Sequence, residues 1–564
     1  MNSSANMRGQ VLAHQKIEDQ EFLSLSQASQ WASKYLDKPV TPSNISYLIQ
    51  YAKINKYLDK ERGIKVSLTE IKRYYDEHFV KKQASWKSRL GSDLDWGLSF
   101  SHLRESDTTK HVHRLHPYKG KFIPQLVEYF LGAHLNDHKR RVFFNPGDSI
   151  LDPFMGSGTT LVQSSELGLH SIGIDISDFN CLVSHVKMGN HNLAVLDKKA
   201  RDTCFKTRDF SREVFDDFFD EQLKEKLNDF NKKYFPNPEF KRQVWKGIVG
   251  NEEQYGEEKL KQFFRENESF LKDNGTKDTS GLLNEKEMNN FLNTWFSKRV
   301  KQELLYYSRL LRGIEDENLR NALKIVLSRT ARSCRATTHS DLATLTEPQV
   351  GPYYCRKHKK LCTPINSIVK HLIRYTDDTL KRLHEFSKLK KDVFCEIIHG
   401  DAREVNVFEC IKNKNLGFYK LLANKKIDGV FTSPPYVGQI DYHEQHAYAY
   451  ELFEISRQDD KEIGPLSGGQ GEKAKEEYVE GISKVFRNIN TFVKDDGDFF
   501  IVANDKYNLY PLIAEKSGLK IVDKFKRPVL NRTERDRQPY AEIIFHMKKR
   551  AYRPQLHPED IAWK

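Results

Sequence analysis

The stretch SILDPFMGSGTT, residues 149–160, constrains the fold of this chain more than any other. A short apolar run ends at Asp152, glycines follow at 156 and 158, and a helical pattern, TTLVQSSELG, opens at Thr159 and stops at Gly168. HSIGIDI then reads as a second strand closing at Asp175. Strand, glycine turn, helix and strand in this order describe a βαβ unit, whose parallel strands need a crossover helix and burial on both faces. The expected class is α/β with a doubly wound sheet.

The turn itself limits what it can hold. Glycines at 156 and 158 let a ligand approach the backbone, but position 161 is Leu, so the three-glycine dinucleotide fingerprint is incomplete. No Lys follows the glycines, which excludes a phosphate-binding P-loop. Asp175 lies nineteen residues beyond Gly156, the distance at which an acidic side chain grips ribose hydroxyls. A nucleoside without a pyrophosphate fits this pattern better than NAD.

Strand signals return at CEIIHGD, IDGVFTSPPY, DFFIVAND, LKIVDKFKRPV and AEIIFHMKK. Between the two groups, residues 201–390 are rich in charges and aromatics at helical spacing, broken by a polar loop near KDNGTKDTSG. The pattern predicts one α/β domain in two parts, 81–200 and 391–564, interrupted by a helical insertion over 201–390.

Residues 1–80 form a further unit. Thr41 is a candidate N-cap with Pro42 at the first helical position, Ile45, Leu48 and Ile49 share one face, and Asn44, Tyr47 and Gln50 face out. GIKVS reads as a short strand, after which Ser67 and Glu70 have the spacing of a capping box. This order resembles the winged helix-turn-helix of excisionase and MerR-type DNA-binding domains, which implies a DNA-contacting role.

TSPPY, Thr432 to Tyr436, ends the apolar strand IDGVF. Its two prolines fix the backbone and leave carbonyls free to accept hydrogen bonds, and an aromatic ring follows directly. That suits a planar amine, whose lone pair is delocalised into its ring until acceptors hold its hydrogens. Ser433 Oγ and the Pro434 carbonyl are the candidate acceptors, with Pro435 shaping the loop and Tyr436 stacking on an extruded base.

Together these motifs resemble those of the amino-group DNA methyltransferase family, the cytosine-N4 and adenine-N6 enzymes of restriction-modification systems. The resemblance implies a Rossmann-like sheet ending in an antiparallel hairpin, with S-adenosylmethionine as methyl donor. It extends to HPYKGKFIPQLVEYF from His116, to HGDAREV, and to IDYHEQH from Ile440, the last similar to a cytosine-N4 subset. By this likeness Lys121 and Phe122 help hold the methionine end of the cofactor, and Asp152, Phe154, Gly156, Gly158 and Thr159 surround its methionine part. Asp175 and Ile176 hold ribose and adenine, and Asp401 with Ala402 hold the other adenine edge. Cytosine-N4 enzymes carry Ser where adenine-N6 enzymes carry Asp or Asn, so Ser433 favours cytosine N4. None of the seven cysteines follows a proline, as the nucleophile of a cytosine-C5 enzyme would.

Composition agrees with this reading. Lys and Arg exceed Asp and Glu by 91 to 78, a net charge of +13 that favours a polyanion such as double-stranded DNA. A polar N-terminus, no long apolar run and an odd number of irregularly spaced cysteines predict a cytoplasmic protein without membrane contact. A cognate restriction endonuclease acting on the same site is an implied partner.

The insertion departs from the compact family pattern, and target recognition is expected there. Within it, CRKHKKLC offers Cys355, His358 and Cys362, with Cys334 or His339 as a fourth zinc ligand. The same run also reads as a basic phosphate-binding surface, which its charge favours, or as plain packing. The catalytic chemistry itself calls for no metal. SGGQGEK, residues 467–473, reads as a mobile loop near the cleft, because no strand leads into it. The alternatives to a cytosine-N4 enzyme are adenine N6, an RNA substrate, and a DNA-binding regulator that no longer turns over.

Overall fold

The computed structural model describes residues 21–550, except 38, 52, 60–62, 92, 101–102, 104, 119, 121, 137, 216, 272–289, 340–344, 346 and 530–539. The polar loop near KDNGTKDTSG therefore lies outside the described residues.

Near the N-terminus, β1 (Phe22–Ser24), β2 (Tyr57–Asp59) and β3 (Gly63–Ser67) form a small antiparallel sheet in the order β1-β3-β2. Helices Leu25–Tyr35, Pro42–Gln50 and Leu68–Tyr75 pack on it around Leu23, Trp31, Ile45, Ile49, Val66 and Ile71. Thr41 caps the second helix as its sequence predicts, accepting from the Asn44 amide at 3.2 Å. The capping box expected at Ser67 and Glu70 does not form. Ser67 makes no side-chain cap bond, and Glu70 instead accepts from the Asn55 backbone, the Asn55 side chain and the Tyr57 hydroxyl at 2.6, 2.7 and 2.9 Å. These donors come from β2 and the chain just before it, so tertiary contact outbids the local cap.

The main sheet contains β4 (Ser149–Asp152), β5 (His170–Asp175), β8 (Cys395–His399), β9 (Ile427–Thr432), β10 (Val493–Ala503), β11 (Leu519–Pro528) and β12 (Ala541–Lys549). Their order is β11-β12-β10-β9-β4-β5-β8, with β8, β5, β4, β9 and β10 parallel and β12 antiparallel to both neighbours. β11 and β12 are the expected terminal hairpin. Both faces are covered, and the alternation along each strand decides which residue faces which way. Leu151, Val430, Phe499 and Ile501 enter one core, while Ile150, Phe431, Phe500 and Val502 enter the opposite one. Sequence order reverses between β4 and β9, so the crevice at their carboxyl ends is where such a sheet binds ligands.

The insertion has two parts. Helices Leu193–Val214, Lys298–Arg312, Glu317–Ser333 and Val369–Ser387 share a core with Asp178–Met188 and Ala447–Phe453, through Leu196, Val300, Leu304, Leu323, Leu372 and Val183. They form an inner layer of the α/β unit, and the boundary expected at 200 falls inside a continuous helix. Helices Phe218–Tyr234, Glu239–Trp245 and Glu252–Glu266, with a hairpin of β6 (Tyr353–Cys355) and β7 (Lys360–Cys362), form an outer lobe around Leu227, Phe230, Phe235, Phe263 and Leu361. This lobe meets the N-terminal unit where Lys241 lies 5.0 Å above the Tyr51 ring and Lys53 over that of Trp245. Among the described residues no helix is long and apolar enough to cross a membrane.

Candidate active site

A cleft opens at the carboxyl ends of β4, β5, β8 and β9. Four segments wall it: Tyr118, Gly120 and Phe122; Pro153 to Ser157 with Thr159; Asp175 to Ser177 with Asn180; and Gly400 to Ala402. Ser433, Pro435, Tyr442, His443 and Glu462 close the remaining side.

Of the residues singled out in the sequence, Phe122, Phe154, Gly156, Thr159, Asp175, Ile176, Asp401, Ala402, Ser433 and Pro435 line this cleft. Lys121 lies outside the described residues. Asp152 is buried beneath the floor: Oδ1 accepts from the Phe154 amide at 3.1 Å and the Thr432 hydroxyl at 2.6 Å, and Oδ2 from the Thr160 hydroxyl at 2.6 Å. Burial lifts its carboxyl to about 6 despite these donors.

The two glycines of the turn do different things. Gly156 has φ +50, and a Cβ there would lie 2.9 Å from the Tyr118 ring, at the cleft wall. Gly158 has φ +73 and caps the helix Thr159–Leu167, and a Cβ there would strike Ser184 Oγ at 2.8 Å, inside the protein. One glycine keeps the pocket open and the other lets two helices approach.

Asp175 is fixed from three sides. Its Oδ2 accepts from the Gly156 amide at 2.9 Å, and its Oδ1 from the Ser177 amide at 2.8 Å and the Asn180 side chain at 3.1 Å. Burial raises it to about 6. Asp401 is gripped by Arg403, with Nε and Nη2 at 2.9 and 2.6 Å; burial opposes ionisation, but these contacts hold the carboxyl below its ordinary range.

The TSPPY loop leaves β9 over this floor. Tyr478 donates its hydroxyl to the Pro435 carbonyl at 2.9 Å, whereas among the described residues nothing donates to the Pro434 carbonyl. The Tyr436 hydroxyl donates to Glu542 on β12 at 3.1 Å, and Arg527 on β11 holds Glu542 in turn at 2.8 Å. The terminal hairpin thus braces the TSPPY loop. Gln470, from the glycine-rich stretch, donates to the Gly438 carbonyl at 3.2 Å, so that stretch packs directly on the end of the loop.

Sequence reasoning passed over Tyr118, Tyr442 and Glu462. Glu462 is raised to about 7 by burial and accepts from the His443 amide at 2.8 Å. His443 Nδ1 contacts Tyr450, whose hydroxyl reaches Ser177 Oγ, both at 2.6 Å. No local pattern marks Glu462, because its partners come from a different loop. Tyr118 and Tyr442 do sit within the quoted HPYKGKF and IDYHEQH segments and could have been found there.

The type II methyltransferase M.MjaII of Methanocaldococcus jannaschii is 49% identical to this chain over 528 residues, which are 94% of this chain and 97% of that protein. The chain belongs to the amino-group DNA methyltransferase family. A family model described as DNA methylase, of the N6/N4 type, matches residues 24–185. Two further type II methyltransferases match in part: M.BsoBI of Geobacillus stearothermophilus, 32% identical over 17% of each chain, and M.MvaI of Kocuria varians, 31% identical over 20% of this chain and 22% of its own.

As a type II DNA methyltransferase of restriction-modification type, the protein uses S-adenosylmethionine as methyl donor and DNA as substrate. The cleft suits that donor. Its walls combine apolar surfaces of Phe122, Phe154 and Ile176 with carboxylates at 175 and 401, and among the described residues the buried Ser157 hydroxyl on its wall has no partner.

Proposed function

We propose that this methyltransferase modifies the N4 amino group of cytosine in double-stranded DNA. The observation that carries the reading is Ser433 on the cleft wall next to a Pro434 carbonyl that no described group occupies. Two neutral acceptors side by side match the two hydrogens of an exocyclic amine, and holding them turns the nitrogen lone pair toward an electrophile. S-adenosylmethionine, when bound, supplies a methyl group on a positively charged sulfur that is open to direct displacement.

The chain's own residues do the positioning. Asp175 presents a fixed carboxylate at the pocket wall, where ribose hydroxyls bind. Asp401, with Ala402, borders the adenine side. Pro435 is pinned through its carbonyl, and Tyr436, anchored by Glu542, offers a ring for an extruded base to stack on. Acceptors already in place when the amine becomes an ammonium cost no reorganisation, which is the main source of acceleration expected here.

In the same reading the N-terminal unit grips DNA and the insertion reads the target, with a cognate endonuclease cutting the unmodified site. Incubating the protein with DNA and methyl-labelled S-adenosylmethionine, then digesting the DNA to nucleosides, tests the base assignment. N4-methylcytosine is expected. N6-methyladenine would overturn the base while leaving amine methylation in place, and no label in DNA would point to a regulator that does not turn over.

A further inference from the structure

We propose that His339, Cys355, His358 and Cys362 form a zinc site that clamps the outer lobe of the insertion to its inner layer. One candidate ligand atom from each residue lies within 4.8 Å of all the others. Cys355 Sγ is 3.7 Å from His339 Nδ1, and Cys362 Sγ is 3.6 Å from His358 Nδ1. A tetrahedral ion with bonds of roughly 2.0–2.3 Å has edges of roughly 3.3–3.8 Å, so both spacings are those of ligands sharing one ion. Two thiols with two imidazoles and no oxygen donor select zinc over calcium or magnesium.

The backbone is arranged for the same purpose. Cys355 and His358 flank the start of the turn between β6 and β7, Lys359 takes φ +53, and the His358 amide donates to Cys355 Sγ at 3.4 Å. An amide aimed at a sulfur stabilises it as a thiolate. His339 arrives from the chain that follows the helix Glu317–Ser333, and its ring centroid lies 4.4 Å from that of His358. Tyr353 accepts from the His339 amide at 3.1 Å and contacts His339 Nδ1 at 2.6 Å. Nδ1 carries a single lone pair, so where it ligates a metal the Tyr353 hydroxyl gives up this contact and keeps the one to the amide. Cys334, the other fourth ligand the sequence allows, is buried in the inner-layer core instead.

The basic residues of CRKHKKLC are partly committed elsewhere. Lys359 pairs with Glu252 at 2.6 Å and Arg356 with Glu253 at 3.0 Å, both on the first turn of the helix Glu252–Glu266. This docks the turn on the lobe and leaves less free charge for phosphate. A metal at the four donors would close the circuit between that lobe and the inner-layer helix preceding His339.

The test uses the full chain, reduced, incubated with zinc sulfate and desalted. Elemental analysis should find about one zinc per chain, released when a mercurial reagent titrates the thiols, and cobalt(II) in its place should give the visible absorption of a tetrahedral thiolate site. Cys355→Ser with Cys362→Ser should abolish retention, and Cys334→Ser should leave it unchanged. Less than about half an equivalent of zinc on wild-type protein that still binds S-adenosylmethionine would overturn the site. Peptide mapping that found Cys355 and Cys362 joined as a disulfide in protein purified without reductant and refractory to zinc after reduction would do the same. Wild-type stoichiometry and release decide the matter even where the double variant does not fold.

Discussion

The Thr432 hydroxyl donates to Asp152 Oδ1 across 2.6 Å, tying the last residue of β9 to the last residue of β4. These are parallel neighbours between which sequence order reverses, so one bond helps set the spacing between the glycine turn and the TSPPY loop. Replacing Thr432 by Val keeps the shape but strips a donor from a fully buried carboxylate. Stability should fall by about 1–3 kcal/mol, read from urea unfolding. An unchanged midpoint would mean that the strand packing alone sets this spacing.

Gly156 and Gly158 should separate binding from folding. Gly156→Ala places a methyl against Tyr118 on the pocket wall and should weaken S-adenosylmethionine binding in calorimetry by at least about tenfold, because positive φ and the close contact both penalise a side chain. Gly158→Ala meets Ser184 between helices and should instead lower the melting temperature. Equal effects of both on affinity would contradict the division of labour.

Asp175 gives the pocket a pH dependence. Folding raises its carboxyl from 3.8 to about 6, so its contribution to stability is fully present below pH 3.8 and is lost as pH rises through 6. If Asp175 takes a ribose hydroxyl as proposed, cofactor binding runs the opposite way, because that hydroxyl needs the ionised acceptor. Affinity should therefore drop as pH falls through about 6, and Asp175→Asn should bind weakly with a flattened profile. A variant that kept the wild-type profile would move the titration to another group.

Ser433→Ala removes one of two proposed acceptors. Turnover should fall by the equivalent of about 2 kcal/mol or more, with affinity for S-adenosylmethionine nearly unchanged, because the hydroxyl serves the base. Ser433→Asp should retain weak activity, a carboxylate being able to accept as well. Full activity of the alanine variant in single-turnover assays would leave the Pro434 carbonyl as the sufficient acceptor.

Deleting residues 1–80 should weaken DNA binding and flatten its dependence on salt, while S-adenosylmethionine binding survives. The unit has its own core, so the α/β part keeps its packing. Identical salt slopes for the full and shortened chains would return the unit to a purely structural role.

Much of this was legible in the chain because strand ends carry their own punctuation. Asp152, Asp175, Asp401 and Thr432 each close or follow an apolar run, and the fold brings Asp175 and Asp401 to one cleft with Asp152 and Thr432 bonded beneath it. What escaped were relations between distant loops. Nothing near Glu70 announces that Asn55 and Tyr57 will claim its carboxylate, and nothing near Glu462 announces His443. The different tasks of Gly156 and Gly158 depend on Tyr118 and Ser184, neither of which is adjacent to them in sequence. The insertion's two layers were hidden for a related reason: amphipathic helices of similar composition serve both, and only the partner they cover distinguishes them.

That division bears on how a methyltransferase of this design could change its target. The inner-layer helices pack around Tyr448 and Tyr450, and the Tyr450 hydroxyl reaches Ser177 and His443 on the cleft wall. Val300 and Leu304 belong to that same core. Leu227, Phe230 and Phe263 sit in a separate core with Phe235, Phe240 and Leu361, joined to the inner layer through ion pairs of Arg299 with Asp217 and Asp220. If the insertion reads the target as proposed, variation can accumulate in its outer lobe as an exchangeable cassette, with the inner layer as its mounting.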